Sequence, residues 1–284
     1  MTDQDAEDHD LGLSHDLPTL LGRPSLVGRR RALGLLGGFG AAAVLASCAS
    51  GDDATSAPTA PGPAPASGSS TPVGDGEIPE ETNGPYPADG TNGVNVLTES
   101  GIVRSDIRSS FGAATGVAEG VALTYTLTVV DVSGAGDAGT PAAGAAVYVW
   151  QCDRDGRYSM YSDGAADENY LRGVQEADAD GTVTFTSIFP ACYDGRWPHL
   201  HLEVYPSLAD ATSATGRLRT SQLALPEDAC ATVYASPGYE GSVDAFARVS
   251  LDTDMVFSDG YSLQLAKVTG SVDEGYAASL RIPV

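Results

Sequence analysis

The chain has 284 residues, and its 38 Asp and Glu against 15 Lys and Arg give a formal net charge of −23 at pH 7. So acidic a protein is repelled by nucleic acid and by anionic lipid surfaces, which argues against both as partners. The sequence has no Gly-rich phosphate loop, no Gly-x-Ser-x-Gly elbow and no paired Cys-x-x-Cys motif, so several nucleotide-dependent, hydrolytic and zinc-binding functions lose their usual support.

The first 47 residues are predicted to be a signal peptide. Three arginines at 29–31 precede a run of 16 residues rich in Gly, Ala and Leu, which is too short and too rich in glycine for a membrane span. The run ends in Leu-Ala-Ser-Cys at 45–48, which resembles a bacterial lipobox with twin-arginine export, and Cys48 is the expected lipidation site. We therefore expect a protein that is exported and either anchored to the outer face of the cytoplasmic membrane or secreted. An internal apolar helix that ends at a cysteine is the alternative.

Residues 48–78 are predicted to be a flexible tether. They are mostly Ala, Pro, Gly, Ser and Thr with a few acidic residues, and such a segment buries too little surface to offset the entropy cost of ordering it. Residues 79–284 remain as one domain, which is long enough for a single sizeable core.

This domain is predicted to be an all-β sandwich with one or two short helices. Alternating or β-rich runs predict strands at 121–132, 145–152, 182–188, 262–268 and 276–284. Turns rich in Gly and Asp separate several of these runs, and short strands at such spacing are typical of a sandwich or barrel. Apolar residues at helical spacing predict a helix at 242–251.

Three cysteines follow Cys48. In an oxidising exterior an odd number implies one disulfide and one thiol. We expect Cys192 to pair with Cys230 and Cys152 to be buried, although the sequence alone does not determine the pairing.

The most informative stretch is 198–204, Pro-His-Leu-His-Leu-Glu-Val. In a strand this alternation places His199 and His201 on one face, about 7 Å apart at the backbone, and the apolar residues on the other. The remaining histidines, His9 and His15, lie in the predicted signal peptide, so an imidazole-bound metal belongs on this strand. A half-buried strand with two hydrogen-bonded histidines is the alternative.

Further motifs surround this strand. In chain order they are Gly-Pro-Tyr at 84–86, Gly-x-Tyr at 156–158, Leu-Arg-Gly at 171–173, Asp-x-Asp-Gly at 178–181, Pro-x-x-Tyr at 190–193, Arg-x-Pro-His-x-His at 196–201 and Thr-Ser-Gln-Leu at 220–223. This order, over about residues 79–234, resembles the intradiol ring-cleavage dioxygenases, the relatives of protocatechuate and catechol 1,2-dioxygenases.

The resemblance implies one mononuclear ferric ion, Fe(III), held by two tyrosinates and two neutral imidazoles. The implied ligands are Tyr158, Tyr193, His199 and His201. Phenolate is a hard anionic donor that suits Fe(III), and the charge of the metal must remove phenol protons that otherwise dissociate near pH ~10.

The resemblance also implies an enzyme that inserts both atoms of O2 into a catecholic substrate and gives a cis,cis-muconate-type product. Tyr193 is the implied axial ligand, which the substrate displaces and which then accepts a catechol proton. Arg196 is implied to stabilise negative charge on the ring, and Gln222 to orient substrate or oxygen. The implied residues of the pocket mouth are Tyr86 and, with less support, Asp89 and Tyr161.

Three other readings stay open. Glu203 shares the predicted face of the histidines, so a ferrous site with two histidines and one carboxylate is conceivable. In the second alternative, the domain is a non-catalytic cell-surface module that binds iron or phenolic ligands. In the third, it holds a structural zinc ion. The presence of Arg196 and Gln222 favours the enzyme.

Two features depart from better-known family members. Only two residues separate Tyr193 from Arg196, where those members have a longer loop, and no N-terminal helical dimerisation domain is evident. Substrate preference and oligomeric state therefore stay open, with a homo-oligomer as one option.

Overall fold

The computed structural model describes residues 76–134, 139–193 and 195–284. The predicted signal peptide, Cys48 and nearly all of the predicted tether lie outside these ranges. Within them the fold is a β-sandwich of nine strands with three short helices. The elements are β1 (Ala122–Asp131), β2 (Thr140–Pro141), β3 (Ala146–Trp150), β4 (Arg172–Glu176), β5 (Thr182–Ile188), β6 (His199–Tyr205), α1 (Leu208–Thr212), β7 (Arg219–Ala224), α2 (Glu227–Tyr234), α3 (Glu240–Phe246), β8 (Lys267–Ser271) and β9 (Gly275–Pro283).

Two sheets form the sandwich. In the first, the order is β2, β1, β9, β8, and β5 also pairs with β1; β1 and β9 are parallel. In the second, the order is β4, β3, β6, β7, and every pair is antiparallel. The all-β prediction is confirmed.

The main core lies between the sheets. In β1 every second residue is buried, including Leu123, Tyr125 and Leu127, because successive side chains of a strand point to opposite faces. These residues belong to the same apolar cluster as Leu200 and Leu202 of β6. The apolar face predicted for the histidine strand is therefore the core face.

The second sheet is buried on its outer face as well. All residues of β3 and β6 are buried. A second apolar cluster, which includes Leu97 and Ile102 from the segment before β1, covers Tyr148 and Trp150 on this face. Polar side chains that project outward from β6 are consequently shielded from water.

Four predicted strands are confirmed, at β1, β3, β5 and β9. The strand predicted at 262–268 is wrong for most of its length, because only its last two residues belong to β8. The preceding residues form turns, in which Gln264 N and Leu265 N both donate to Tyr261 O. The helix predicted at 242–251 begins earlier and ends at Phe246 as α3.

The folded part begins before the predicted boundary at 79. Ile78 is fully buried, and its N–H donates to Pro283 O over 2.7 Å. Its apolar side chain packs in the core, so the tether as predicted extends at least one residue too far. Among the described residues, no helix combines the length and the hydropathy that a membrane crossing requires.

The predicted disulfide between Cys192 and Cys230 is wrong in this structure. Both residues are thiols, as is Cys152, and all three are buried. Each packs in the core as a small apolar side chain, and the Cys192 thiol donates to Arg196 O over 3.4 Å. Burial raises the pKa of the Cys152 and Cys230 thiols, which disfavours the thiolate needed for oxidation.

Candidate active site

The site is built on the outer face of the second sheet. His201 lies between Trp150 of β3 and Gln222 of β7 in the strand register. The rings of Trp150 and His201 are stacked, with centroids 4.8 Å apart and planes 6° from parallel. His199 and His201 project from the same face, as predicted, and both are almost fully buried, at 2% and 3% exposure.

Two tyrosines complete a group that we call the tyrosine–histidine cluster: Tyr158, Tyr193, His199 and His201. The two Nε2 atoms are 3.1 Å apart. Tyr193 Oη is 3.2 Å from His199 Nε2 and 3.1 Å from Tyr158 Oη, which is itself 3.4 Å from His199 Nε2. Atoms bound at ~2 Å to one tetrahedral metal ion lie about 3.3 Å apart, so this spacing suits a shared ion.

The histidines of the cluster are neutral. Burial, reinforced by the positive charge of Arg196, lowers the pKa of His199 to about 3. Burial and the neighbouring His199 lower the pKa of His201 well below its usual value. His199 Nδ1 contacts the Trp197 carbonyl, which can only accept, so Nδ1 carries the proton and the lone pair of Nε2 faces the cluster.

When no cation is bound, the two phenols of the cluster are protonated. Burial raises the pKa of both Tyr158 and Tyr193 above the ordinary value for tyrosine. A multiply charged cation at this point would reverse that effect, because it stabilises phenolate strongly in a dry site. Two phenols and two neutral imidazoles are thus a donor set that fits a ferric ion.

The arrangement with two histidines and one carboxylate is not formed. Glu203 Oε1 accepts from Arg217 over 2.7 Å, and its Oε2 accepts from the Tyr205 hydroxyl over 2.6 Å. In the described ranges, no three side chains of His, Cys, Asp or Glu are placed to share a metal ion. Glu203 therefore belongs to a buried polar network beside the site.

Arg196 and Gln222 lie next to the cluster. Arg196 Nη1 is 3.5 Å from His199 Nε2, and its Nη2 donates to Gln222 Oε1 over 2.6 Å. Gln222 Nε2 in turn donates to Thr82 O over 2.9 Å. The structure thus brings together all the residues predicted for the metal and for the chemistry.

The segment that carries Tyr86 covers the cluster. The Tyr86 ring is half-buried, 5.0 Å from the Tyr158 ring and 5.2 Å from the Tyr161 ring. Gly84 has φ +70°, and a Cβ there would approach His201 Cε1 to 3.2 Å. Glycine is needed at this position because of both the backbone conformation and the close approach.

The two weaker candidates, Asp89 and Tyr161, hold loops in place. Asp89 accepts from Thr91 and Arg217. Tyr161 Oη donates to Asn92 and accepts from Ala88 N. Tyr170 is a packing residue with 7% exposure, and its hydroxyl donates to Asp153.

No role is predicted from the sequence for two residues that lie beside the site. Arg172, although part of the Leu-Arg-Gly motif, is one of them; it is fully buried and donates to the carbonyls of Tyr86, Pro87 and Ser159. It therefore ties the covering segment to the turn that carries Tyr158. Asp254 accepts from Arg196 Nε over 3.0 Å, and the sequence around it has no motif that predicts this contact.

Comparison with known proteins gives the class. Residues 109–206 match the family model described as Dioxygenase. The structure is similar to an intradiol ring-cleavage dioxygenase from Tetranychus urticae, with TM-score 0.57 and 25% identity over 73% of this chain and 94% of that one. A second dioxygenase crystal structure gives TM-score 0.56 and 24% identity over 73% of this chain and 93% of that one. The β-sandwich fold of this chain is therefore shared with intradiol ring-cleavage dioxygenases.

A curated relative is similar over a shorter stretch. The chain is 38% identical over 72 residues to a chlorocatechol 1,2-dioxygenase of Rhodococcus opacus, a match that spans 25% of this chain and 26% of that relative. The chain is thus similar to intradiol ring-cleavage dioxygenases, a family of oxidoreductases that is generally Fe(III)-dependent.

Proposed function

We propose that this protein is an Fe(III)-dependent intradiol dioxygenase that inserts both atoms of O2 into a catecholic substrate. The product is of the cis,cis-muconate type. The observation that carries the proposal is the convergence of two phenol oxygens and two imidazole Nε2 atoms, joined by four contacts of 3.1–3.4 Å, with Arg196 and Gln222 beside them.

The ion would be held by Tyr158, Tyr193, His199 and His201. When bound, ferric iron would supply a Lewis acid for the two oxygens of the catecholate. Two phenolates and two neutral imidazoles leave a site charge of about +1, which favours the ferric state. Substrate, rather than O2, is then the species that the site activates.

The protein residues then have distinct roles. Tyr193 would be the base that takes a catechol proton at its phenolate oxygen. Arg196 presents its Nη1 toward the cluster, where it stabilises negative charge that develops on the ring. Gln222 is held between Arg196 and the Thr82 carbonyl, so its amide orients substrate or oxygen. Tyr86 limits access from the solvent side.

The proposed location is outside the cytoplasmic membrane, in the breakdown of aromatic compounds. The support is the sequence of residues 1–48, with twin arginines, a short apolar run and the lipobox-like Leu-Ala-Ser-Cys. Cys48 is the proposed lipid attachment site. If Cys48 carries no lipid, the protein is secreted.

The test is product formation. Protein loaded with ferric iron and given catechol should consume one O2 per catechol and release cis,cis-muconate in which two of the four carboxylate oxygen atoms derive from labelled O2. An iron protein whose spectrum responds to catechol but which consumes no O2 would support the other function, a cell-surface module that binds phenolic ligands. Arg196→Met is the matched variant, since it leaves the four proposed ligands in place.

A further inference from the structure

Asp254 is a buried carboxylate outside every motif and outside the residues 109–206 that match the family model. It lies in the turns that follow α3, and its side chain is fully buried. Its Oδ1 accepts from the N–H groups of Val256 and Phe257 over 2.8 and 3.2 Å. These two bonds fix the carboxylate within its own turn.

The other oxygen reaches the residues just before β6. Oδ2 accepts from Trp197 N over 2.6 Å and from Arg196 Nε over 3.0 Å. Four N–H groups therefore use the whole acceptor capacity of Asp254. With Nε held on this side, the planar guanidinium presents Nη2 to Gln222 and Nη1 to His199, at 2.6 and 3.5 Å.

Asp254 also compensates the charge of Arg196. The guanidinium is buried, at 5% side-chain exposure, and lies beside neutral imidazoles and phenols. A buried cation without a counter-ion is strongly disfavoured, and removing one partner of such a pair leaves the other uncompensated. Among the described residues, the carboxylate that forms an ion pair with Arg196 is that of Asp254.

We propose that Asp254 is a positioning residue for ring cleavage: it fixes the Arg196 guanidinium against the substrate site without touching the substrate. The inference rests on the proposed function, because the position of Arg196 affects turnover only if the protein cleaves catechols. Through Trp197 N, the same carboxylate also anchors the entry to β6, immediately before His199.

The test compares Asp254→Asn, Arg196→Met and the double variant. The amide of Asn replaces one acceptor with a donor that opposes the N–H groups around it. Asp254→Asn should keep the bound iron and the visible spectrum, lower kcat by roughly 10- to 100-fold and change KM much less, as expected for a residue one contact removed from the reaction. In the Arg196→Met background it should cause no further loss of kcat, since it acts through Arg196. Asp252→Asn, at an exposed position two residues earlier, is the charge-matched control and should leave kcat unchanged.

A second measurement does not depend on activity. In the metal-free protein, the double variant should lower the melting temperature by less than the sum of the two single variants, because the two side chains are coupled. Additive decreases in melting temperature, an unchanged kcat in Asp254→Asn, or losses of kcat that multiply in the double variant would each overturn the inference. An iron-loaded wild type that cleaves no catechol would instead contradict the proposed function, while the melting comparison would still report on the contact between Asp254 and Arg196.

Discussion

The backbone fixes the orientation of His199, one of the four proposed metal ligands. Its Nδ1–H is directed at the Trp197 carbonyl, two residues earlier, so the tautomer and the ring orientation are fixed before any metal binds. Burial then keeps the ring neutral. A protonated imidazole cannot ligate a cation, so the low pKa leaves this position available at neutral pH.

The phenol of Tyr158 is open to a direct test. Tyr158→Phe removes one of the two proposed phenolate oxygens and keeps the ring, so the visible absorption of the ferric protein should weaken and its iron affinity should fall by roughly tenfold or more. Tyr161→Phe is the control, because the Tyr161 hydroxyl binds Asn92 and Ala88 rather than the cluster. Equal spectra and iron contents in the two variants would contradict the ligand assignment.

Glu81 gives a pH-dependent prediction. Burial, helped by the nearby Asp259, raises the pKa of this carboxyl from 4.5 to about 8. Between those values the native state holds a proton that the unfolded state has released, so the free energy of unfolding falls as pH rises from 4.5 to 8. Glu81→Gln should remove this part of the decrease, which denaturant unfolding at pH 5 and pH 8 would show. Glu80→Gln, at an exposed neighbouring position, should keep the wild-type slope, and equal slopes in all three proteins would refute the role of Glu81.

At the scale of elements, β6 and its two neighbours carry the site. β3 contributes Trp150, β6 the two histidines and β7 Gln222, and antiparallel register aligns Trp150, His201 and Gln222 in one row. The stack of Trp150 on His201 limits the rotation of that imidazole. A rigid three-stranded support is therefore the structural basis of the site.

Trp150→Ala tests this support. It removes a fully buried ring and leaves a cavity, so the free energy of unfolding should fall by about 3–5 kcal/mol. Leu218→Ala, at a position 49% exposed, should change it by no more than ~0.5 kcal/mol. Urea unfolding of the metal-free proteins measures both. A small effect of Trp150→Ala would mean that the outer face of the second sheet is not packed as described.

The strands were predictable where local pattern and tertiary environment agree. The alternation of 198–204 assigned both faces of β6 correctly, because one face is apolar and packs in the core. The run 262–268 has a similar pattern, but Gln264 N and Leu265 N bond within a turn, and only tertiary contacts decide this. The contact of Asp254 with Arg196 was not predictable for the same reason, since 58 residues separate the pair and no spacing rule applies.

At the scale of the molecule, the three buried cysteines give a further prediction. The native protein should react slowly with a thiol reagent, because burial excludes the reagent and raises the pKa of the Cys152 and Cys230 thiols. After denaturation without reductant, Cys152, Cys192 and Cys230 should all react. Recovery of only one of these three thiols would establish the disulfide that the sequence suggested and the structure lacks.

The sandwich as a whole brings distant parts of the chain to one face of one sheet. The covering segment around Tyr86, the turn of Tyr158, the strand of His199 and the turn of Asp254 meet there, although about 170 residues separate the first from the last. Sequence motifs similar to those of the intradiol dioxygenases located the first three of these parts. The fourth part, the turn of Asp254, was found only in the structure.

The most direct test of the central claim is the visible absorption spectrum of the purified protein, loaded with ferric iron, before and after anaerobic addition of catechol. We predict a broad band from charge transfer between tyrosinate and ferric iron, which shifts when catechol binds. That result would show phenolate ligation and an open substrate position together. A protein that stays colourless after incubation with ferric iron would contradict the assignment of Tyr158, Tyr193, His199 and His201 as the ligands of a ferric centre.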